Sequence, residues 1–279
     1  MHPDNHRFGH AQILAVYVNP DHERLDPWSP PSIRGRLQPE WDLTTRWERP
    51  ADAQDSLPVF VWSDVARRRR LASGRSSGFA LGAPWAYLQT LDRDAFRSEE
   101  ELTLREEEPP APVVPRGTLF LPSHGIQGQH LARRLATHLR RTCGSVTVGL
   151  SPADEAVPAL RAAYTDLGHE VVPLGRTQDD PGTDEPRRLV RLRDLFARHK
   201  RVAANAPRAE LLFAAATRLP VALEGPAVGE QDPVLTDLGR RLAALDETGW
   251  REYADRELGI AHVVPPDELR TLLDWNRHD

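Results

Sequence analysis

One cysteine, one methionine and one lysine stand among 279 residues. The lone Cys143 excludes an intrachain disulfide framework, and no second cysteine is near enough to build a zinc cluster with it. At a predicted helix end it reads as a bystander. Apolar runs are short: none approaches the ~18–20 residues that span a bilayer. The start, MHPDNHRFGH, lacks the apolar core of a signal peptide, so a cytoplasmic protein is expected. Lys200 is the only lysine among 36 basic residues, and there are 25 prolines. Both point to a GC-rich coding background, in which arginine runs carry little weight. A formal net charge of −5 argues against a general nucleic-acid binder. Walker, GxGxxG, GxSxG and HExxH motifs are all missing.

What is present is an α/β pattern in two halves. In the first, QILAVYV (12–18) reads as a buried strand, 35–43 has room for a short one, and LPVFVW (57–62) is a second buried strand. Ser63 or Asp64 then caps a helix that Gly74 ends. Its four arginines, Arg67–Arg70, are either an anion patch or a solvated face. Strand 79–81 and a helix from Pro84 follow. The long stretch 19–56 has no steady period. Residues 96–116, acidic and then proline-rich, read as a linker between a domain at 1–95 and one at 117–279.

The second half alternates regularly. Strands are expected at 118–121, 145–149, 170–174, 202–204 and 221–223. Helices fall between them at 127–141, 154–167, 186–199 and 208–218, and three more are expected in the tail. Such alternation implies a parallel sheet covered on both faces, a Rossmann-like domain. Function in such a domain sits in the loops after the strands. PSHGIQG (122–128) offers Ser123, His124 and the backbone of Gly125. Ser151 is a helix cap, and Arg176 lies at the sheet edge, free for a diphosphate or for Asp179 and Asp180. In the turn from Asn205, Arg208, Ala209 and Glu210 open a helix whose free N–H groups suit a phosphate. Glu210 is placed either for ribose hydroxyls or for the helix dipole, and Glu224 ends the last strand. Together these loops suggest a nucleotide-like anion.

Several segments resemble a family of bacterial glycosyltransferase-B-type proteins of capsule and surface-polysaccharide biosynthesis, distantly similar to UDP-N-acetylglucosamine 2-epimerase. They are LPVFVWSDVARRRRLASG (57–74), LGAPWAYL (81–88), GTLFLPSHG (117–125), AYTDLGHEVVPLG (163–175) and the run 189–225. The resemblance covers about 35 to 226 in order. It implies two Rossmann-like domains of glycosyltransferase-B type, the first smaller and irregular. It further implies a metal-independent transferase with no tightly bound cofactor and a nucleotide-diphosphate sugar as donor substrate. The acceptor is a glycan or small molecule, with no nucleic acid and no membrane span, and a homodimer is open to the chain. Donor contacts would come from Ser123, His124, Asn205 and Arg208, with His124 or Glu40 as base. The family's "QHGW" is here Gln38-Pro39-Glu40-Trp41, and its small turn after Asn205 carries Arg208 and Ala209. These departures leave open a diverged transferase, a non-catalytic nucleotide- or glycan-binding subunit, or an epimerase or hydrolase.

Overall fold

A computed structural model of the protein describes residues 3–19, 30–43, 57–96, 113–125, 128–174, 187–227 and 233–275. Most of the expected linker, 97–112, lies outside the described residues, as does Arg176. The chain is α/β and falls into two compact units, each with a parallel sheet. Unit 1 comprises Met1–Pro110, Asp184–Val190 and Asp255–Asp279, and unit 2 comprises Ala111–Thr183 and Arg191–Ala254.

Unit 1 is built on three short strands in the order β1 (Arg36–Leu37), β2 (Val59–Val61), β3 (Phe79–Ala80). Arg36 pairs with Val59, and Phe60 with Phe79. The segment expected to be its first strand, 12–18, is instead helix α1 (His10–Val18). The reason is burial on every side: Ile13, Leu14, Ala15 and Val16 are each at most 1% exposed. A helix enclosed all round shows no amphipathic period, so its apolar run looks like that of a buried strand. Helix α2 (Asp64–Ala72) begins as expected, with the Ala66 N–H donating to Ser63 Oγ at 3.2 Å. Its arginines are largely spent internally. Arg67 pairs with Asp64 at 2.9 Å, Arg69 grips the buried Glu257 with two bonds of 2.6 and 2.7 Å, and Arg70 donates to Ser76 at 3.1 Å. That favours the structural reading of the run over an anion patch.

After helix α3 (Pro84–Leu88), the chain's last stretch completes this unit. The tail was expected with the second domain, yet Leu269, Leu273 and Trp275 are buried in unit 1. Arg270 donates to the Val18 carbonyl at the end of α1 at 2.6 Å, and the Tyr17 hydroxyl to Val264 at 3.0 Å.

Unit 2 carries five parallel strands: β4 (Thr118–Leu121), β5 (Val146–Leu150), β6 (Glu170–Pro173), β7 (Arg201–Ala204) and β8 (Val221–Leu223). Their order is β6-β5-β4-β7-β8, the Rossmann-like arrangement expected. Helices α4 (Gly128–Thr142), α7 (Arg187–Arg198), α8 (Ala209–Ala216), α9 (Pro233–Ala243) and α10 (Glu247–Leu258) follow the expected spans. The helix expected at 154–167 is two, α5 (Pro152–Glu155) and α6 (Pro158–Thr165). Val157 is extended before Pro158, as the residue before a proline usually is. Leu131, Leu135 and Leu139 of α4 pack on Phe120, Val148 and Tyr164 as the core of this sheet. The tail helix α11 (Pro266–Leu272) belongs to unit 1.

Candidate functional site

The strand order fixes where unit 2 can bind. From β4 the chain moves outward through β5 and β6, then returns to the other side of β4 to lay down β7 and β8. The loops leaving β4 and β7 therefore diverge, and in open α/β sheets that fork is where ligands sit. The first loop is 122–125 and the second 205–208, two of the stretches singled out from sequence.

Asn205 locks the two loops together. Its Oδ1 accepts from the Ser123 N–H at 2.7 Å, and its Nδ2 donates to the Ser123 carbonyl at 2.8 Å. A weaker bond of 3.3 Å reaches the Pro226 carbonyl beyond β8. Asn205 is 7% exposed, so this amide acts as a brace. Arg208 serves the same end. Its guanidinium grips Glu210 with bonds of 2.8 and 2.9 Å and donates to the Pro122 carbonyl at 3.0 Å. Burial alone would ease its proton off, but the Glu210 carboxylate, helped by Asp154, more than offsets this and holds the pKa above the ordinary arginine value. Arg208 is thus the N-cap residue of α8 without a capping bond, its charge neutralised by Glu210.

His124 is buried, 4% exposed, between two partners that sequence reading did not single out. Its Nε2 is 2.9 Å from the Tyr164 hydroxyl. Its Nδ1 is 3.3 Å from Asp154 Oδ1, without the alignment of a full hydrogen bond. Ser151 caps α5 and donates to Asp154 at 2.8 Å. Burial pushes the Asp154 carboxyl up, but the His124 and Ser151 contacts and the Arg208 charge together leave it below the usual carboxylate range. Burial likewise raises the Tyr164 phenol. Carboxylate, imidazole and hydroxyl are in the order of a nucleophilic triad, yet the hydroxyl belongs to a fully buried tyrosine in the core. With a raised pKa and no access, Tyr164 is no nucleophile, and the chain of contacts fixes the His124 loop. The S-x-x-D spacing of Ser151 and Asp154 was legible as a cap; nothing local marked Tyr164.

The remaining candidates fall differently. Ser123 is half-buried, its hydroxyl makes no hydrogen bond among the described residues, and Gly125 is exposed at φ 55°. Both therefore present groups at the fork, as does the start of α8 at Ala209. Glu224 is taken by Arg201 and by Cys143, whose Sγ is 3.5 Å away. Glu40 belongs to unit 1, where it pairs with Arg7 at 3.4 Å. Beside it Gln38 is a strut: its Oε1 accepts from the Trp62 N–H at 3.0 Å and its Nε2 donates to the Glu40 carbonyl at 2.8 Å. Among the described residues no cluster of side chains could hold a metal ion, and no helix is long and apolar enough to cross a membrane.

No protein-family model matches the chain, and no curated protein matches it in sequence. Among solved structures it is similar to UDP-GlcNAc 2-epimerase from Neisseria meningitidis bound to UDP-GlcNAc. The identity is 12% and the TM-score 0.41, over 87% of this chain and 67% of that one. A glycosyltransferase from Rickettsia africae ESF-5 gives 12% and 0.35, over 78% and 62%. AviGT4, a glycosyltransferase involved in avilamycin A biosynthesis, gives 19% and 0.34, over 78% and 64%. The chain spans 62% to 67% of these proteins' own lengths. Likeness of this degree fixes neither substrate nor chemistry.

Proposed function

We propose that the chain is a glycosyltransferase-like protein whose second unit binds the diphosphate of a nucleotide-activated sugar at the fork between β4 and β7. One observation carries the reading. The loops singled out from sequence leave the two strands of the topological switch point, and Asn205 holds them together there. Ser123 Oγ, the Gly125 backbone and the Ala209 N–H at the start of α8 are the groups offered to phosphate oxygens. Arg208 and Asn205 shape the cradle around them, and Arg176 remains a candidate for the diphosphate. The sugar and the transfer itself are motivated by the sequence resemblance. Transfer needs charge stabilisation on the departing diphosphate and a base on the acceptor hydroxyl.

A second reading, a nucleotide- or glycan-binding subunit without catalysis, is favoured by His124. Both of its ring nitrogens face Tyr164 and Asp154, and its ring is buried. Calorimetric titration of the full chain with UDP, other nucleoside diphosphates and their sugars tests both. Binding that stabilises the protein by about 2.7 kcal/mol at one hundred times the dissociation constant is expected. Silence across all these ligands would remove the proposal. Binding with no product formed from donor and acceptor would select the second reading.

A further inference from the structure

Arginines on the surface of unit 2 commonly find a carboxylate. Arg161 pairs with Glu155, Arg201 with Glu224, and Arg240 and Arg241 with Asp237. Along the outer face of α4 the pattern stops. Among the described residues, no carboxylate lies within ion-pair distance of Arg133, Arg134 or Arg141, and none of the three makes a side-chain hydrogen bond. These three, with His130 and His138, line an open groove of about 460 Å³ whose far wall is Pro226. That volume is within the range of ligand sites.

The wall is built closely. Gly225 is left-handed at φ 88°, and a Cβ there would stand 3.1 Å from Leu135 Cδ2 and 3.3 Å from His138 Cδ2. The glycine lets the loop after β8 close on the helix. Glu224, the carboxylate next to it, is occupied by Arg201 and Cys143. The Pro226 carbonyl accepts from Asn205, so the groove adjoins the fork.

Helical spacing divides the cations into two sets. His130, Arg133 and Arg134 share one turn, and His138 and Arg141 share another. Their centres are about 11 Å apart along the axis, from 1.5 Å per residue. The first set offers two guanidinium forks and an imidazole, the second one fork and an imidazole. Phosphate oxygens accept such forks in pairs, and arginine is the side chain suited to them. Among the described residues no Phe, Tyr or Trp lines the groove, so nucleic-acid bases would find no large ring to stack on. Nor, among the described residues, does a large apolar side chain line it, as a helix lying in a bilayer surface would require. We propose that this groove binds a linear phosphate-bearing chain, with one anionic group seated over each set. The site is separate from the proposed nucleotide site and stands without it.

The test uses the full chain, with long-chain linear polyphosphate as probe and pyrophosphate, too short to bridge the sets, as control. Polyphosphate is expected to bind at least about tenfold more tightly than pyrophosphate, and to weaken steeply with added salt. Arg134→Glu and Arg141→Glu should each lower that affinity about tenfold or more; milder Arg→Gln versions follow if a charge reversal disturbs folding. UDP affinity should be unchanged in all of them. Equal binding of the two probes, or polyphosphate binding retained in the double variant, would overturn the proposal. Polyglutamate bound as tightly as polyphosphate would overturn its phosphate specificity. A parallel loss of UDP affinity would overturn the separateness of the site.

Discussion

Replacing Asn205 with alanine isolates the brace at the switch point. The side chain makes two short bonds to Ser123, of 2.7 and 2.8 Å, and one long bond of 3.3 Å to Pro226. Each well-formed bond contributes about 0.5–1.5 kcal/mol net, and a buried donor or acceptor left without a partner costs about 1–3 kcal/mol. Ser123 is only half-buried, so water recovers part of the loss at its carbonyl. The sum for Asn205→Ala is about 3 kcal/mol. At roughly 2–4 °C per kcal/mol for a chain of this size, the Tm of unit 2 should fall by about 6–12 °C in circular dichroism melts. Asn205→Asp is the informative companion. It keeps the acceptor for the Ser123 N–H but sets a carboxylate against two carbonyls, and should destabilise at least as much as alanine. A fall of less than about 2 °C for alanine would mean that the loops hold their places without the brace, and the reasoning that makes Asn205 the organiser of the fork would fail.

Two further outcomes follow from the charge chemistry. Burial, with Arg7 and Arg188 near, lowers the pKa of His10 from 6.5 to about 3. The unfolded chain therefore takes up a proton near pH 6.5 that the folded one refuses. The stability this group contributes is complete above that pH and is lost as pH falls toward 3. At 1.36 kcal/mol per pH unit, the step from 6.5 to 5 should remove about 2 kcal/mol from unit 1 in urea unfolding. His10→Gln should flatten that dependence; the same slope in variant and parent would place the titration elsewhere. The second outcome concerns Arg208 and Glu210, joined by two bonds in a largely buried site. A double-mutant cycle to Gln at each position should give a coupling of about 1.5–3 kcal/mol in stability. Additive losses would show that the pair does not act as a unit.

Much of unit 2 was legible because its strands and helices alternate with short connections. The apolar period of Leu131, Leu135 and Leu139 fixed α4, and the parallel sheet followed from the alternation. Unit 1 was harder for physical reasons. A two-residue strand such as Arg36–Leu37 leaves almost no periodic signal, and α1 is enclosed on all sides. The tail's place with unit 1 depends on contacts such as Arg270 to Val18, 252 residues apart in sequence, which no local pattern encodes. At the site, sequence identified the loops but not the partnerships within them. Tyr164 looked like any inward-facing helical aromatic, so nothing foretold that His124 would be spent on it.

Those partnerships change what the fork can do. Arg208 stands where the resembling family has a small, hydroxyl-bearing turn, and charge for a phosphate was the natural reason for it. In the fold its charge is matched by Glu210, and its third bond props the Pro122 carbonyl. With Asp154 held in its charged form and Glu210 matching Arg208, the side chains around His124 carry no surplus positive charge. An anion arriving at this fork would be met by backbone N–H groups and the Ser123 hydroxyl, or would have to draw Arg208 away from Glu210. The first needs no rearrangement. The second exposes a buried carboxylate and so costs several kcal/mol. Binding by the backbone, with arginine as scaffold, is therefore the lower-energy mode at this site.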